Sequence, residues 1–344
     1  MAKSSINKVR NLKQKNETWE VAVRPARTWV ESRKSDPYRP WYVLVISDDE
    51  KILRHDMEKE KPSTDELAEA IFRAMRRPMF GAGRKRRPTK ILFDNQEIFD
   101  ELSPILAEIE IETEKKIALR KANVLLKELD YKLNKGKDIH SLAAMPTVTI
   151  PLLEKIFEAT AAYYRLAPWE FIPDEEFAIE VRYPADAEPR YAIIIGRAGE
   201  SFGLSIHDSL DELSDFMQFA QFQKLPKKEF SAISFTFEGN FHLSFDDLDA
   251  AERYGWDIPA ENAYPSIMRF TPGKELMPPK PDDIYWLEGA LPAITEFFRD
   301  DYNPDEFSAD FGENQIEYRT IVHTLGGVEQ VVLTLPILIE QAPS

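Results

Sequence analysis

Two carboxylates stand at strand ends, where divalent-ion chemistry would use them. Residues 41–47 read WYVLVIS, an apolar run of strand length, and Asp48 follows directly; Asp94 follows a second such run at 89–93. Carboxylates at neighbouring strand ends can hold two divalent ions that activate water and stabilise a leaving oxygen. On that reading Asp48 and Asp94 are the candidate catalytic residues, Mg²⁺ or Mn²⁺ is the cofactor, and Glu66, Glu97 or Glu112 supplies a third ligand. On the plainer reading Asp48-Asp49-Glu50 is turn chemistry, and neither a cofactor nor a resident metal is expected.

A second group is basic. Arg76, Arg77, Arg84, Lys85, Arg86 and Arg87 cluster around a glycine-bearing loop, and Arg24, Arg27, Arg33, Lys34 and Arg39 interleave with Trp29, Tyr38 and Trp41. Cations for phosphates and rings for bases are what nucleic-acid binding requires. An acidic protein partner would use the same cluster, and a solvated loop beside buried tryptophans would need no partner.

Other motifs are less specific. Residues 199–203 match the G-x-S-x-G pattern around Ser201. That motif works at a strand-to-helix turn, whereas LSIHDS after it reads as strand, so a hairpin turn is expected. The histidines, His55, His140, His207, His242 and His323, have no ligand spacing on one helix face. His207 and His242 fall in adjacent expected strands of one domain. The acidic runs at 246–249 and 300–306 lack a calcium-loop glycine.

The elements that must position these residues alternate. A hairpin is expected at 41–47 and 51–55. A helix capped by Ser63 or Thr64 follows, burying Leu67, Ala70, Ile71, Ala74 and Met75 and ending at Pro78. Then come a strand at 89–93, a helix from Asn95, a short strand at 109–111 and a helix over 114–134. After a Gly- and Pro-bearing boundary at 134–151, the second half offers a helix at 152–166. Hairpins follow at 191–195 with 202–206 and at 316–323 with 328–335, and a helix is expected at 283–299. Residues 259–281 read as a Pro-rich passage. The first-half order is loosely that of a ribonuclease H-like fold, whose three leading strands require one more strand near 19–23. The fold class is therefore α+β in two domains. A flexible basic tail spans 1–16. A mixed sheet flanked by helices spans 17–140, and antiparallel hairpins packed with helices span 150–337.

Composition bounds the function classes. The 344 residues contain no cysteine, so disulfides, thiolate metal sites and cysteine nucleophiles are excluded. No apolar stretch reaches the ~20 residues a spanning helix needs, and the polar N-terminus has no secretory h-region. A cytoplasmic protein without membrane contact is expected. The net charge of −16 is uneven: residues 1–90 hold 22 Lys and Arg against 13 Asp and Glu, the rest 22 against 47. Such asymmetry points to different partners for the two halves.

Two sets of motifs carry a resemblance. PWEFIPDEEFAIEV (168–181), YAIIIGRAGESFGLSIHDSLDEL (191–213) and YPSIMRFTPGKELMP (264–278) are similar to a bacterial domain of unknown function. That family has a "PW" before its first strand, a G-x-x-G-E-x-x-G-L hairpin, and a "P…R…PG…P" passage before its last helix. WYVLVISDDEKILR (41–54), DELAEAIFRAMRRP (65–78), RPTKILFD (87–94) and IEIETE (109–114) resemble a second uncharacterised bacterial domain. The resemblance implies a two-domain bacterial protein and transfers no catalytic residue. The expectation is a non-enzymatic binding or adaptor protein with an unidentified protein partner. The alternative is a nucleic-acid-binding or metal-dependent, ribonuclease H-like N-terminal domain modulated by the acidic C-terminal one.

Overall fold

The computed structural model describes residues 2–32, 35–134, 139–172, 177–196, 199, 201–222, 230–303 and 315–338. The chain divides into two compact units, Met1–Asp138 and Ile139–Ser344.

The first unit opens with helix α1 (Ala2–Arg10) and strand β1 (Gln14–Pro25). A short ribbon of β2 (Val30–Ser32) and β3 (Ser35–Tyr38) leads to the hairpin β4 (Trp41–Ile46) and β5 (Ile52–Glu58). Then come α2 (Thr64–Arg76), β6 (Arg87–Phe93), α3 (Gln96–Ala107), β7 (Glu112–Lys115) and α4 (Arg120–Asn134). The sheet order is β5-β4-β1-β6-β7, with β4 antiparallel and β6 parallel to β1. Three strands paired as a meander thus precede α2, and the strand sought near residue 19 is β1.

Alternation along β1 assigns the two faces. Trp19, Val21 and Val23 join the core shared with α1, α2 and α3; Ala22 joins the core under α4 with Tyr42, Leu44, Ile46 and Leu126. The expected stripe of α2 is buried, and Ser63 and Glu66 close a capping box at its start.

Three expectations for this unit shift. Residues 2–10 are helical where a flexible tail is expected, because Ile6 and Val9, one turn apart, dock into the core. The strand expected at 109–111 begins at Glu112. Ile109 and Ile111 are buried beside Glu110, whose φ of 57° breaks extended backbone, and pairing with β6 starts at Glu112 opposite Lys90. The last helix starts at Arg120 rather than 114, since 112–115 belong to β7.

The second unit is an antiparallel seven-stranded sheet packed with helices, order β12-β11-β10-β9-β8-β14-β13. Its elements are α5 (Ile150–Leu166), β8 (Phe177–Arg182), β9 (Arg190–Ile195), β10 (Gly203–His207), α6 (Leu210–Phe222), β11 (Ala232–Glu238) and α7 (Phe245–Tyr254). They continue with β12 (Tyr264–Phe270), α8 (Pro281–Glu296), β13 (Ile316–Thr324) and β14 (Gly327–Leu338). One sheet face packs with α5 and α8, through Leu152, Ile156, Leu287 and Ile294. On the other face Leu213 of α6 meets Tyr191 and Ile193. Strand β12 corrects the Pro-rich passage at 259–281: Pro265 is tolerated because β12 is an edge strand whose outer side is bridged only further along, at Arg269 to Met277, among the described residues.

Candidate functional site

Asp48 and Asp94 are not brought together. Glu20 of β1 is paired with both Ile46 and Leu92. From that level β4 runs back along β1 and β6 runs forward, so the two aspartates leave it in opposite directions. The separation is on the order of 13 Å along the sheet and about 10 Å across it. Asp48 is exposed in the hairpin turn, where its carbonyl accepts from Lys121. Asp94 is half-buried, and its pKa is raised by burial, with Arg24 lowering it and Glu20 raising it.

The neighbours of Asp94 are therefore Glu20 and Arg24, two β1 residues on the α4 face. Glu20 is buried and its Oε2 accepts from the Ala122 amide at 2.9 Å, satisfying a free N–H in the first turn of α4. Arg24 lies 3.7 Å from buried Asp130 of α4 and donates to Asn123 Oδ1 at 3.4 Å. Asp130 also accepts from the Arg27 amide at 3.1 Å. Burial lowers the Arg24 pKa and the negative charge of Asp130 raises it; the net is below the ordinary value. Burial, joined by Asp130, pushes the Tyr42 phenol upward.

The other carboxylates considered as a third ligand lie elsewhere. Glu66 caps its own helix, Glu97 pairs with Lys61, and Glu112 pairs with Lys90. Among the described residues no group of three or more His, Asp or Glu is placed to hold a metal ion. Sequence reasoning missed Glu20 and Asp130. The available signal was a charge at a buried spacing: Glu20 falls inside TWEVAV, and Asp130 lies four residues after Leu126.

The basic cluster splits in two. Arg86 is buried: Nε donates to Glu17 at 2.6 Å, Nη1 donates to the carbonyls of Ala82 and Arg84 at 3.0 Å each, and the guanidinium stacks 5.5 Å from the Trp19 ring centre. Burial raises the Glu17 pKa, and the hydrogen bonds from Arg86 and Trp19 more than reverse that, leaving it below its ordinary value. Arg87 donates to the carbonyls of Leu12 and Ile109 and pairs with Glu110. Arg76 pairs with Glu69.

The rest is surface. Arg77, Arg84 and Lys85 are exposed and make no side-chain ion pair or hydrogen bond among the described residues. Between them Phe80 is fully exposed, at 109%, next to half-exposed Met79. The turn is braced rather than loose. Met79 N donates to Leu53 O, Ala82 N to Met79 O and Arg86 N to Met75 O, each at 3.0 Å, while Gly81 and Gly83 take φ of 82° and 92°. Arg39 instead donates to the Ala26 carbonyl; Arg33 and Lys34 lie outside the described residues.

Family profiles match both units. That of a domain of unknown function, DUF6930, covers residues 5–130, and that of another, DUF7309, covers 154–319. The chain joins a DUF6930 domain to a DUF7309 domain. No curated protein matches it. Among solved structures, the cryo-EM structure of a simian T-cell lymphotropic virus intasome in complex with PP2A regulatory subunit B56 gamma aligns over 57% of this chain and 81% of that chain. Identity is 10% and the TM-score 0.25, which carries no argument about fold or function.

In the DUF7309 domain the motif residues meet one another. Trp169 of the "PW" packs on Phe202, ring centres 5.0 Å apart, and against Gly196, where a Cβ would come within 2.8 Å of the indole. Arg269 grips Asp283 through two 2.7 Å hydrogen bonds, and Asp283 also accepts from the Lys280 amide at the start of α8. The "P…R…PG…P" passage thus staples the edge strand to the last long helix. Ser201 is exposed before β10, and the serine that meets His207 is Ser205, its Oγ 2.9 Å from Nε2. His207 is buried against Phe216, its Nδ1 has no hydrogen-bond partner among the described residues, and burial lowers its pKa to about 4. His242 is exposed on a separate turn.

Proposed function

We propose that this chain is a bacterial, cytoplasmic, non-enzymatic adaptor whose DUF6930 domain docks an anionic partner through the tip formed by Arg77, Phe80, Arg84 and Lys85. The observation that carries the reading is Phe80. A large aromatic side chain fully in water on a braced turn, flanked by three cations without partners among the described residues, is the composition of a contact surface. The favoured partner is an acidic protein segment, with single-stranded nucleic acid the competing ligand for the same tip. No helix among the described residues is long and apolar enough to cross a membrane. The test is binding of the full chain to a labelled acidic peptide and to single- and double-stranded DNA and RNA across a salt series. Binding that weakens linearly in log salt and is lost in an Arg84→Ala/Lys85→Ala/Phe80→Ala variant supports the reading. Failure to bind any of these at low salt sinks it.

A second reading keeps a ribonuclease H-like, metal-dependent nuclease, and the proximity of Glu20 to Asp94 on one sheet face favours it. Against it, Glu20 is used by the α4 amide and Arg24 lies beside both Asp94 and Asp130. Mg²⁺- or Mn²⁺-dependent cleavage abolished by Asp94→Asn would establish the nuclease. Equal cleavage by the parent and the variant would exclude these carboxylates.

A further inference from the structure

The second unit contains an open cleft of about 600 Å³ between the β8–β9 connection, α8 and the β13–β14 turn. Its lining is acidic and aromatic. Four carboxylates, Glu188, Asp282, Glu288 and Glu329, face one cation, Arg190, and Tyr183, Tyr285 and Trp286 supply the rings. Arg190 pairs with Asp208 at 3.0 Å and stacks on Trp286 at 5.3 Å, while its buried Nη1 approaches Asp283 at 3.6 Å and makes no hydrogen bond among the described residues. None of the four cleft carboxylates forms an ion pair among the described residues.

Glu288 makes this more than an acidic surface. It is only 5% exposed, and its Oε1 accepts one hydrogen bond, from the Leu325 amide. Its charge has no counter-ion among the described residues, and burying an unpaired carboxylate is costly unless a cation joins it. Glu329 stands nearby. Tyr183, Glu288 and Glu329 line the same cleft, and the Tyr183 phenol is raised by burial, lowered by a hydrogen bond with Thr324 and raised again by the charges of Glu288 and Glu329. That ring is held in place against Gly289, where a Cβ would come within 2.2 Å of it.

Carboxylates beside aromatic walls select a cation with an apolar stem, because the charge gains ion pairing and ring attraction while the stem leaves water. We propose that this cleft is a recognition site for a Lys or Arg side chain on a basic peptide segment of a partner protein. The ammonium or guanidinium group sits at Glu288 and Glu329, and its stem lies along Tyr183 and Tyr285. The open side of the cleft leaves room for the backbone that carries the side chain. This site is separate from the basic tip and takes ligands of the opposite charge, so it stands whether or not the tip binds anions.

The experiment is calorimetric titration of the full chain with N-acetyl-lysine amide and N-acetyl-arginine amide. The neutral N-acetyl-norleucine amide and free spermidine are run beside them. Glu288→Gln keeps an acceptor for the Leu325 amide while removing the charge, and Glu329→Gln is a second variant on a half-exposed strand position. The proposal expects binding of the capped cationic residues, none of norleucine, and a loss of roughly tenfold or more in each variant. Equal binding of norleucine, unchanged binding by both variants, or no binding of either cationic amide at millimolar concentration overturns it. Binding of spermidine alone also overturns it, by making the ligand a free polyamine.

Discussion

Arg84, Lys85, Arg86 and Arg87 are contiguous in the chain and end in two environments. The first two stand in water beside Phe80; the last two turn inward, where Arg86 joins Glu17 and Trp19 and Arg87 ties the start of β6 to the carbonyls of Leu12 and Ile109. Backbone anchoring separates them: the Arg86 amide donates to the Met75 carbonyl and β6 begins at Arg87. A basic run is therefore not one functional unit: half of it holds the domain together and half is free to meet a partner. The DUF7309 domain repeats the contrast in acidic residues. Asp283 is fully buried and gripped by Arg269, while Glu288, five residues on, is buried without a cation among the described residues.

The contrast can be broken most decisively at Arg86. Arg86→Ala removes the buried ion pair with Glu17, leaving it Trp19 and Lys15, and takes the donor from two carbonyls, so a loss of about 3 kcal/mol is expected in urea denaturation. A loss no larger than that of Arg84→Ala would erase the distinction between the two halves of the run. The buried side of the molecule can also be tested through pH. His207 is neutral in the folded state, with its pKa lowered to about 4 from 6.5. The unfolded chain binds more protons between those values, so stability is intact above pH 6.5 and falls as pH drops toward 4. The loss is about 3 kcal/mol at most. In His207→Gln that limb of the pH–stability profile should flatten, and an unchanged profile would assign acid sensitivity to other groups. The smallest effect on stability is expected at the tip. Arg84→Ala/Lys85→Ala should unfold within about 0.5 kcal/mol of the parent, while the slope of log affinity against log salt for a nucleic-acid ligand falls by about 2. Phe80→Ala should leave that slope unchanged and weaken single-strand binding by about 1–3 kcal/mol if a base stacks there; a changed slope would mean the ring acts by positioning the cations.

Local chemistry made much of the fold legible in advance. Apolar runs at 41–47 and 191–195, the stripe from Leu67 to Met75, the helix starts at 63–64 and Asn95 and the final hairpin all stand where their spacing puts them, to within a residue, because each depends on residues a few positions apart. The two domains were legible too, through short motifs whose structural roles the fold now supplies, such as Trp169 against Gly196. What the sequence could not rank were residues of equal chemistry and different burial. Asp48 and Asp94 look alike as strand-end carboxylates, yet the antiparallel and parallel pairing of their strands with β1 sends them in opposite directions. The burial of Glu20, Asp130 and Glu288, and of Arg86 beside exposed Arg84, was decided by which strands pair and which helix covers them. Residue types and their spacing determined the elements and the sign of each surface. Only the tertiary structure decided which charges are consumed inside, because the cost of removing a charge from water depends on partners distant in the chain.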